Sequence, residues 1–209
     1  ADEYDRMFLG LTPRVAIVTN IEHDHPDCFP TPQDYQDAFK DFLNRCVPNG
    51  KAILCADDPG VRSLLKADLR TDIELLTYGF NDGCDYRIED YVWDGSASHF
   101  TLRSYKSHQQ PLTLGNFTLR LPGKHNAANA AAALAVGDAL GGSVLDCAAA
   151  LAEFAGTERR FDIVLESAGE VLINDYGPHP TQVRATLGRS LSPDSSMKTM
   201  VRPSRWAFF

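Results

Sequence analysis

The sequence is poor in the features that would mark a chain for export, for disulfide bonding or for thiolate metal binding. Its 209 residues carry five cysteines, Cys28, Cys46, Cys55, Cys84 and Cys147, none in a Cys-x-x-Cys pair. An odd count at irregular spacing excludes a disulfide framework and a zinc ribbon, and points to free thiols in a reducing compartment, the cytoplasm. There is no apolar run long enough to cross a bilayer and no basic-then-apolar leader, since the first residues read Ala-Asp-Glu-Tyr-Asp. Basic charge is also short: 20 Lys and Arg stand against 28 Asp and Glu, a net charge of −8. That balance argues against a nucleic-acid partner, and with no spanning run the chain has no membrane partner either. The 44% hydrophobic content suffices for a buried core: one large domain, or one domain and a piece of another.

The first eighty residues alternate strand and helix. Val15-Ala16-Ile17-Val18, Ala52 to Ala56 and Ile73 to Tyr78 are short apolar runs of the kind that form buried parallel strands. Between them, Tyr35, Ala38, Phe39, Phe42, Leu43 and Cys46 make a helical stripe, and Asp57-Asp58-Pro59 caps a helix running to about Ala67. Residues 85–120 alternate polar and apolar, with turn-like breaks at Asp94-Gly95-Ser96 and Gly115-Asn116: an antiparallel meander with one wet face. Helices over 124–140 and 143–154 follow, parted by Gly141-Gly142. A new hairpin then begins, strand 161–167, a turn at Gly169 and strand 171–173, with a helix starting at Thr181. After Gly188 the periodicity is lost, and Ser192 to Ser196 reads as loop. The expected fold class is α/β, a mainly parallel sheet with flanking helices and an antiparallel meander. The expected division is 1–157 and 158–209.

Several segments carry chemistry, each with a plain structural alternative. Residues 121–136 hold His125, Asn126 and Asn129 in the first turns of an alanine-rich helix. A helix start offers unpaired N–H groups to a polar or anionic ligand, but asparagine there is also a common cap. Thr19 to His25 lies at the end of a parallel strand, where open α/β sheets bind ligands. Glu22, Asp24 and His25 suit a hard cation, or simply form a solvated loop before a helix. Arg159 and Arg160 fit a phosphate clamp or a surface ion pair, and Asp175 a ribose hydroxyl or a turn.

Taken in order, the motifs are specific. Val-Thr-Asn-Ile-Glu-His-Asp-His-Pro-Asp (18–27), Asp-Asp-Pro (57–59), Pro-Gly-Lys-His-Asn-Ala-Ala-Asn-Ala (122–130), Gly-Thr-Glu-Arg-Arg-Phe-Asp (156–162) and Asn-Asp-Tyr-Gly-Pro-His-Pro-Thr (174–181), with Ala-Asp-Glu-Tyr-Asp (1–5), resemble the Mur ligase family. Within it they are most similar to the branch that joins L-alanine to UDP-N-acetylmuramate. The resemblance implies an ATP- and Mg2+-dependent amide ligase of peptidoglycan synthesis. Such an enzyme phosphorylates a carboxylate and lets an amine attack the acyl phosphate. It also implies a partial central ATP-binding domain, followed by the start of a Rossmann-like C-terminal domain. By the same resemblance His125, Asn126 and Asn129 lie against adenine, Arg160 and Asp175 contact the nucleotide, Tyr176 and His179 face the substrate, and His25 is a magnesium ligand. Phe39 takes the place where other branches carry a carbamylated lysine, leaving Lys40 a solvated helix residue.

Three departures accompany the match. The family's phosphate loop, Gly-x-x-Gly-Lys-Thr, is not among these residues, and the glutamate that holds magnesium is expected just before Ala1. Pro178 stands where the branch usually has a second histidine, so one imidazole is replaced by a ring without a donor. The segment after residue 187 does not match the C-terminal domain. The expectations are that the 209 residues alone have no ligase activity, and that an unpaired sheet edge favours self-association.

Overall fold

A computed structural model describes residues 4–106, 110–157, 162–167, 170–176, 180–181, 183–184 and 198–201. Contacts divide the chain into two compact units, Ala1–Glu153 and Phe154–Phe209.

The first unit is built on one six-stranded sheet in the order β1-β2-β3-β4-β5-β6. β1 (Val15–Val18), β2 (Lys51–Cys55) and β3 (Glu74–Gly79) run parallel, with Ala16 opposite Ala52 and Ile53 opposite Leu76. The pleat sends alternate residues to opposite faces, and both faces are covered. Ala16, Val18, Ala52 and Leu54 pack with Leu43 of α1 (Pro32–Leu43) and with Val61 and Leu64 of α2 (Pro59–Leu64). Ile53, Cys55, Leu76 and Tyr78 turn the other way, onto α3 (Lys124–Ala139). Among the described residues β1 has a neighbour on one side only, and Ile17 is 41% exposed.

A parallel pair normally needs a crossover of a dozen or more residues. The link from β3 to β4 (Tyr86–Trp93), residues 80–85, is far shorter. It suffices because only Tyr78–Tyr86 and Gly79–Arg87 are paired, so β4 carries on past the carboxyl end of β3. Asp85 closes the link by accepting from the Thr77 amide and hydroxyl, both at 2.7 Å. β5 (Ser98–Ser104) and β6 (Leu112–Leu119) continue the sheet antiparallel, and β5 alternates buried and half-buried along its length. The Asp94-Gly95-Ser96 turn forms as read, with Asp94 accepting from the Ser96 and Ala97 amides at 2.8 Å. Gly115-Asn116 is not a turn: it lies inside β6, where the β5–β6 register shifts between Leu102 and Arg103. The shift explains the glycine, since a Cβ at Gly115 would meet the Phe117 ring at 3.1 Å.

α3 starts after Gly123, whose φ of 101° suits glycine. Ala127, Ala130, Ala131, Leu134 and Ala135 form its buried stripe at helical spacing, and methyl-sized side chains let the helix lie close on the sheet. Gly141 ends it with φ 74°, while the Gly142 amide reaches back to the Gly137 carbonyl at 2.8 Å. α4 (Val144–Glu153) packs on α3 so closely that a Cβ at Gly137 would lie 2.8 Å from Cys147 Sγ.

The second unit holds a three-stranded sheet, β7 (Asp162–Ser167), β8 (Glu170–Asn174) and β9 (Lys198–Val201). β7 and β8 are the expected hairpin, and Pro180, Thr181, Val183 and Arg184 are helical. β9 corrects the reading of everything after Gly188 as aperiodic: it pairs parallel to β8, Glu170 with Lys198 through Ile173 with Val201. Four residues are too few to display a period, so the partner strand rather than local pattern defines it. The turn at Gly169 and the loop Ser192 to Ser196 lie outside the described residues. No helix among the described residues is long and apolar enough to cross a membrane.

The five cysteines are free, with Cys46, Cys55 and Cys84 buried and Cys28 and Cys147 half-buried. Burial pushes the Cys84 thiol up to about 12, with the nearby Asp57 carboxylate adding to it, and burial also raises Cys46 and Cys55. Since the thiolate is the reactive form, a thiol reagent at pH 8 is expected to label Cys28 and Cys147 at once. The other three should react only on unfolding, which timed labelling and mass spectrometry read directly.

Candidate functional site

The carboxyl ends of β1, β2 and β3 carry three loops, and two adjacent aspartates tie them together. Asp58 Oδ1 accepts from the Val61 amide at 2.8 Å, capping α2, and from the Ile21 amide at 3.1 Å, holding the loop after β1. Asp57 turns to the loop after β3, accepting from the Phe80 amide at 2.8 Å and the Asn81 amide at 3.0 Å. Two glycines make these approaches possible: a Cβ at Gly60 would lie 2.1 Å from the Ile21 carbonyl oxygen, and one at Gly79 2.6 Å from Asp57 Oδ1. Arg62 donates to the Ala56 and Asp57 carbonyls at 2.8 and 2.9 Å. It also lines a cleft of about 610 Å³ with Thr77, Asn81, Gly83 and Cys84; His25, His125, Asn126 and Asn129 of the same unit do not line it.

In the β1 loop, His25 is half-buried with φ 54°, a left-handed backbone uncommon outside glycine. Its Nε2 is 3.7 Å from Asp24 Oδ2, and its carbonyl accepts from the Cys28 and Phe29 amides at 2.9 Å. Among the described residues no three His, Cys, Asp or Glu side chains are gathered to hold a metal ion. Asp24 and His25 suit a cation that keeps water and phosphate oxygens in its shell, as magnesium does, and do not make a cage for one that sheds them. Phe39 packs edge-on against Tyr35, ring centres 5.2 Å apart, and tilted against Phe8 at 6.0 Å, while Lys40 beside it is half-buried.

At the start of α3, His125 and Asn129 are exposed and four apart, so they share the face opposite the alanine stripe. Asn126 sits differently: it is half-buried, and its Nδ2 donates to the Pro122 carbonyl at 2.8 Å, which fixes the entry of the helix. Phe80 and Tyr91, which lie outside the sequence motifs, complete this end with Lys124. The Gly123 amide donates to Tyr91 Oη at 3.0 Å, Phe80 meets Tyr91 edge-on at 6.0 Å, and Lys124 Nζ lies 5.3 Å from the centre of the Phe80 ring. An aromatic directly after Gly79 was their one sequence signal. The loop held by Asp57 therefore also supports the start of α3.

In the second unit, Asp175 is half-buried and Tyr176 exposed, directly after β8. Arg159, Arg160, Pro178 and His179 lie outside the described residues.

The first unit is of the α/β class, a mainly parallel sheet closed by an antiparallel meander, with helices on both faces and polar loops gathered at the carboxyl ends of its parallel strands. The pattern of the Mur ligase middle domain matches residues 2–137, and the chain belongs to the Mur ligase family. MurF from Acinetobacter baumannii superposes with a TM-score of 0.71 at 25% identity, over 85% of this chain and 37% of that one. MurC from Thermotoga maritima gives 0.69 at 25% identity, over 90% and 40%. The MurF ligase from Thermotoga maritima in complex with ADP gives 0.65 at 22%, over 86% and 39%. The chain spans well under half the length of each of these proteins.

Replacing Asp58 by alanine removes a helix cap and orphans the Ile21 amide. Asp58→Ala is expected to lose about 2 kcal/mol in urea denaturation. Asp58→Ser, which keeps the cap, should recover about half; equal losses in the two would show that the cap contributes nothing.

Proposed function

We propose that this chain supplies the nucleotide-binding middle part of an ATP-dependent Mur ligase, with residues 158–209 opening its C-terminal domain. The observation that carries the reading is the middle-domain match across residues 2–137, which spans both the His25 loop and the start of α3. In this reading the exposed edge of His125 and Asn129 receives the adenine. Asn126 orients the helix start through Pro122. Arg160 and Asp175 contact the nucleotide, and Tyr176 and His179 face the substrate. His25 contributes to holding Mg2+, which neutralises phosphate charge when bound. The residues' task is positioning: the γ-phosphoryl group passes to a substrate carboxylate as ADP leaves, and an amine then displaces phosphate from the acyl carbon.

We assign the substrates as UDP-N-acetylmuramate and L-alanine, on Asn-Ile-Glu before Asp-His and on Asp-Asp-Pro. Equal identity of 25% to MurF and to MurC favours neither by fold alone. A ligase recycling a murein tripeptide, or one adding glutamate to folate, is the alternative within the class. Outside it stands a non-catalytic nucleotide-binding module.

Titrating ADP and Mg2+ into the 15N-labelled chain is expected to shift the signals of His125, Asn126 and Asn129. Asn129→Ala should weaken binding about tenfold, the worth of one polar contact. Shifts that avoid α3 altogether would sink the adenine assignment. The 209 residues alone should release no phosphate from ATP in response to alanine and UDP-N-acetylmuramate.

A further inference from the structure

The loop between β1 and α1 carries a second histidine that the proposed metal role leaves unused. His23 Nε2 lies 2.8 Å from the Phe29 carbonyl oxygen. A carbonyl only accepts, so Nε2 carries the proton and donates. The His23 ring meets Tyr35 edge-on at 6.1 Å, and Tyr35 meets Phe29 at 4.9 Å, which closes a clasp around residues 23–29. Arg6 lies over the Phe29 ring, 4.8 Å from its centre. Inside the clasp is His25, with its φ of 54° and its carbonyl taking both the Cys28 and Phe29 amides. A non-glycine residue holds such a backbone only where its surroundings determine it.

We infer that His23 is a positioning residue: its bond to Phe29 keeps residues 23–29 closed, fixes the left-handed backbone of His25, and so sets the direction from which the His25 imidazole meets a divalent cation. The inference rests on the proposed metal role of His25. It goes beyond that role in assigning the second histidine of the loop a share in the geometry without contact to the ion, as groups behind a metal ligand commonly have.

Two variants separate donor from ring. His23→Phe keeps an aromatic edge against Tyr35 and has no donor, whereas His23→Gln keeps a donor and has no ring. In the full 209-residue chain, amide exchange at Cys28 and Phe29 is expected to quicken about tenfold in His23→Phe and to stay near wild type in His23→Gln. Mn2+ alone, read by paramagnetic broadening of the His25 ring signals, should bind about tenfold more weakly in His23→Phe and unchanged in His23→Gln. Unchanged exchange in His23→Phe overturns the clasp, and quickened exchange with unchanged Mn2+ affinity overturns its role in positioning. If Mn2+ fails to broaden His25 in the wild type, the metal reading of His25 falls, and the exchange measurement still decides whether His23 sets that backbone.

Discussion

The pair Asp57-Asp58 is the joint on which the carboxyl edge of the first unit depends. One aspartate reaches Phe80 and Asn81 beyond β3, and the next reaches Ile21 beyond β1 while capping α2. Neighbouring residues at the end of a strand point to opposite sides, so two short acceptors in sequence serve two loops at once. Each carboxylate takes two backbone N–H groups, the use to which a short acidic side chain is best suited, since charge-assisted bonds to amides are stronger than neutral ones. Ligand sites of such sheets are made of loops, and these loops are anchored to the β2 end by two carboxylates that take their main-chain amides.

The second constraint is steric. α3 lies on the sheet through alanines and meets α4 so closely that glycine is needed at Gly137 against Cys147, as it is on the other face at Gly60 of α2 against Ile21. Close approach leaves little room for a side chain to adjust, because protein interiors are packed as densely as organic crystals. The helix start is thereby held relative to the loop after β3 through Tyr91, Phe80 and Lys124. An exposed edge that is rigid in this way suits a flat ligand, since little ordering remains to be done on binding.

Most of the first unit was legible because its elements are periodic or punctuated. β1 to β3 are continuous apolar runs, α1 (Pro32–Leu43) carries the apolar stripe from Tyr35 to Leu43, and α3 follows Pro122-Gly123. What escaped depends on partners far away in the chain. Gly115 looked like a turn because a glycine needed at a register shift and one needed at a turn have the same sequence signature. Asp57 and Asp58 were legible as a cap, but their bonds to Phe80 and Ile21 were not, because hydrogen bonds across 23 and 37 residues of chain leave no spacing to read. Asn126 and Asn129, three apart, looked equivalent; the turn at Pro122 takes one amide and leaves the other exposed. The candidate site itself was legible only as an ordered set of motifs, since a histidine before a proline or an asparagine near a helix start has ordinary uses everywhere.

The family is plain and the branch is not, because the structural residues serve every branch alike. The residues whose work is described above hold loops, cap helices or let backbones approach, and none of those tasks depends on which amino acid is joined. Ligases that add different residues therefore retain the same sheet, and MurF and MurC match this chain at the same 25% identity. Discrimination between substrates requires groups that differ in shape or charge where the substrates differ. In the proposed reading the segment with that task begins at Tyr176, exposed at the end of β8, and its proline at 178 removes a donor without supplying another. A change of substrate within one scaffold is expected to concentrate in such a segment, because a change at Asp57, Gly60 or Ala131 would disturb the loops or the packing for every substrate alike.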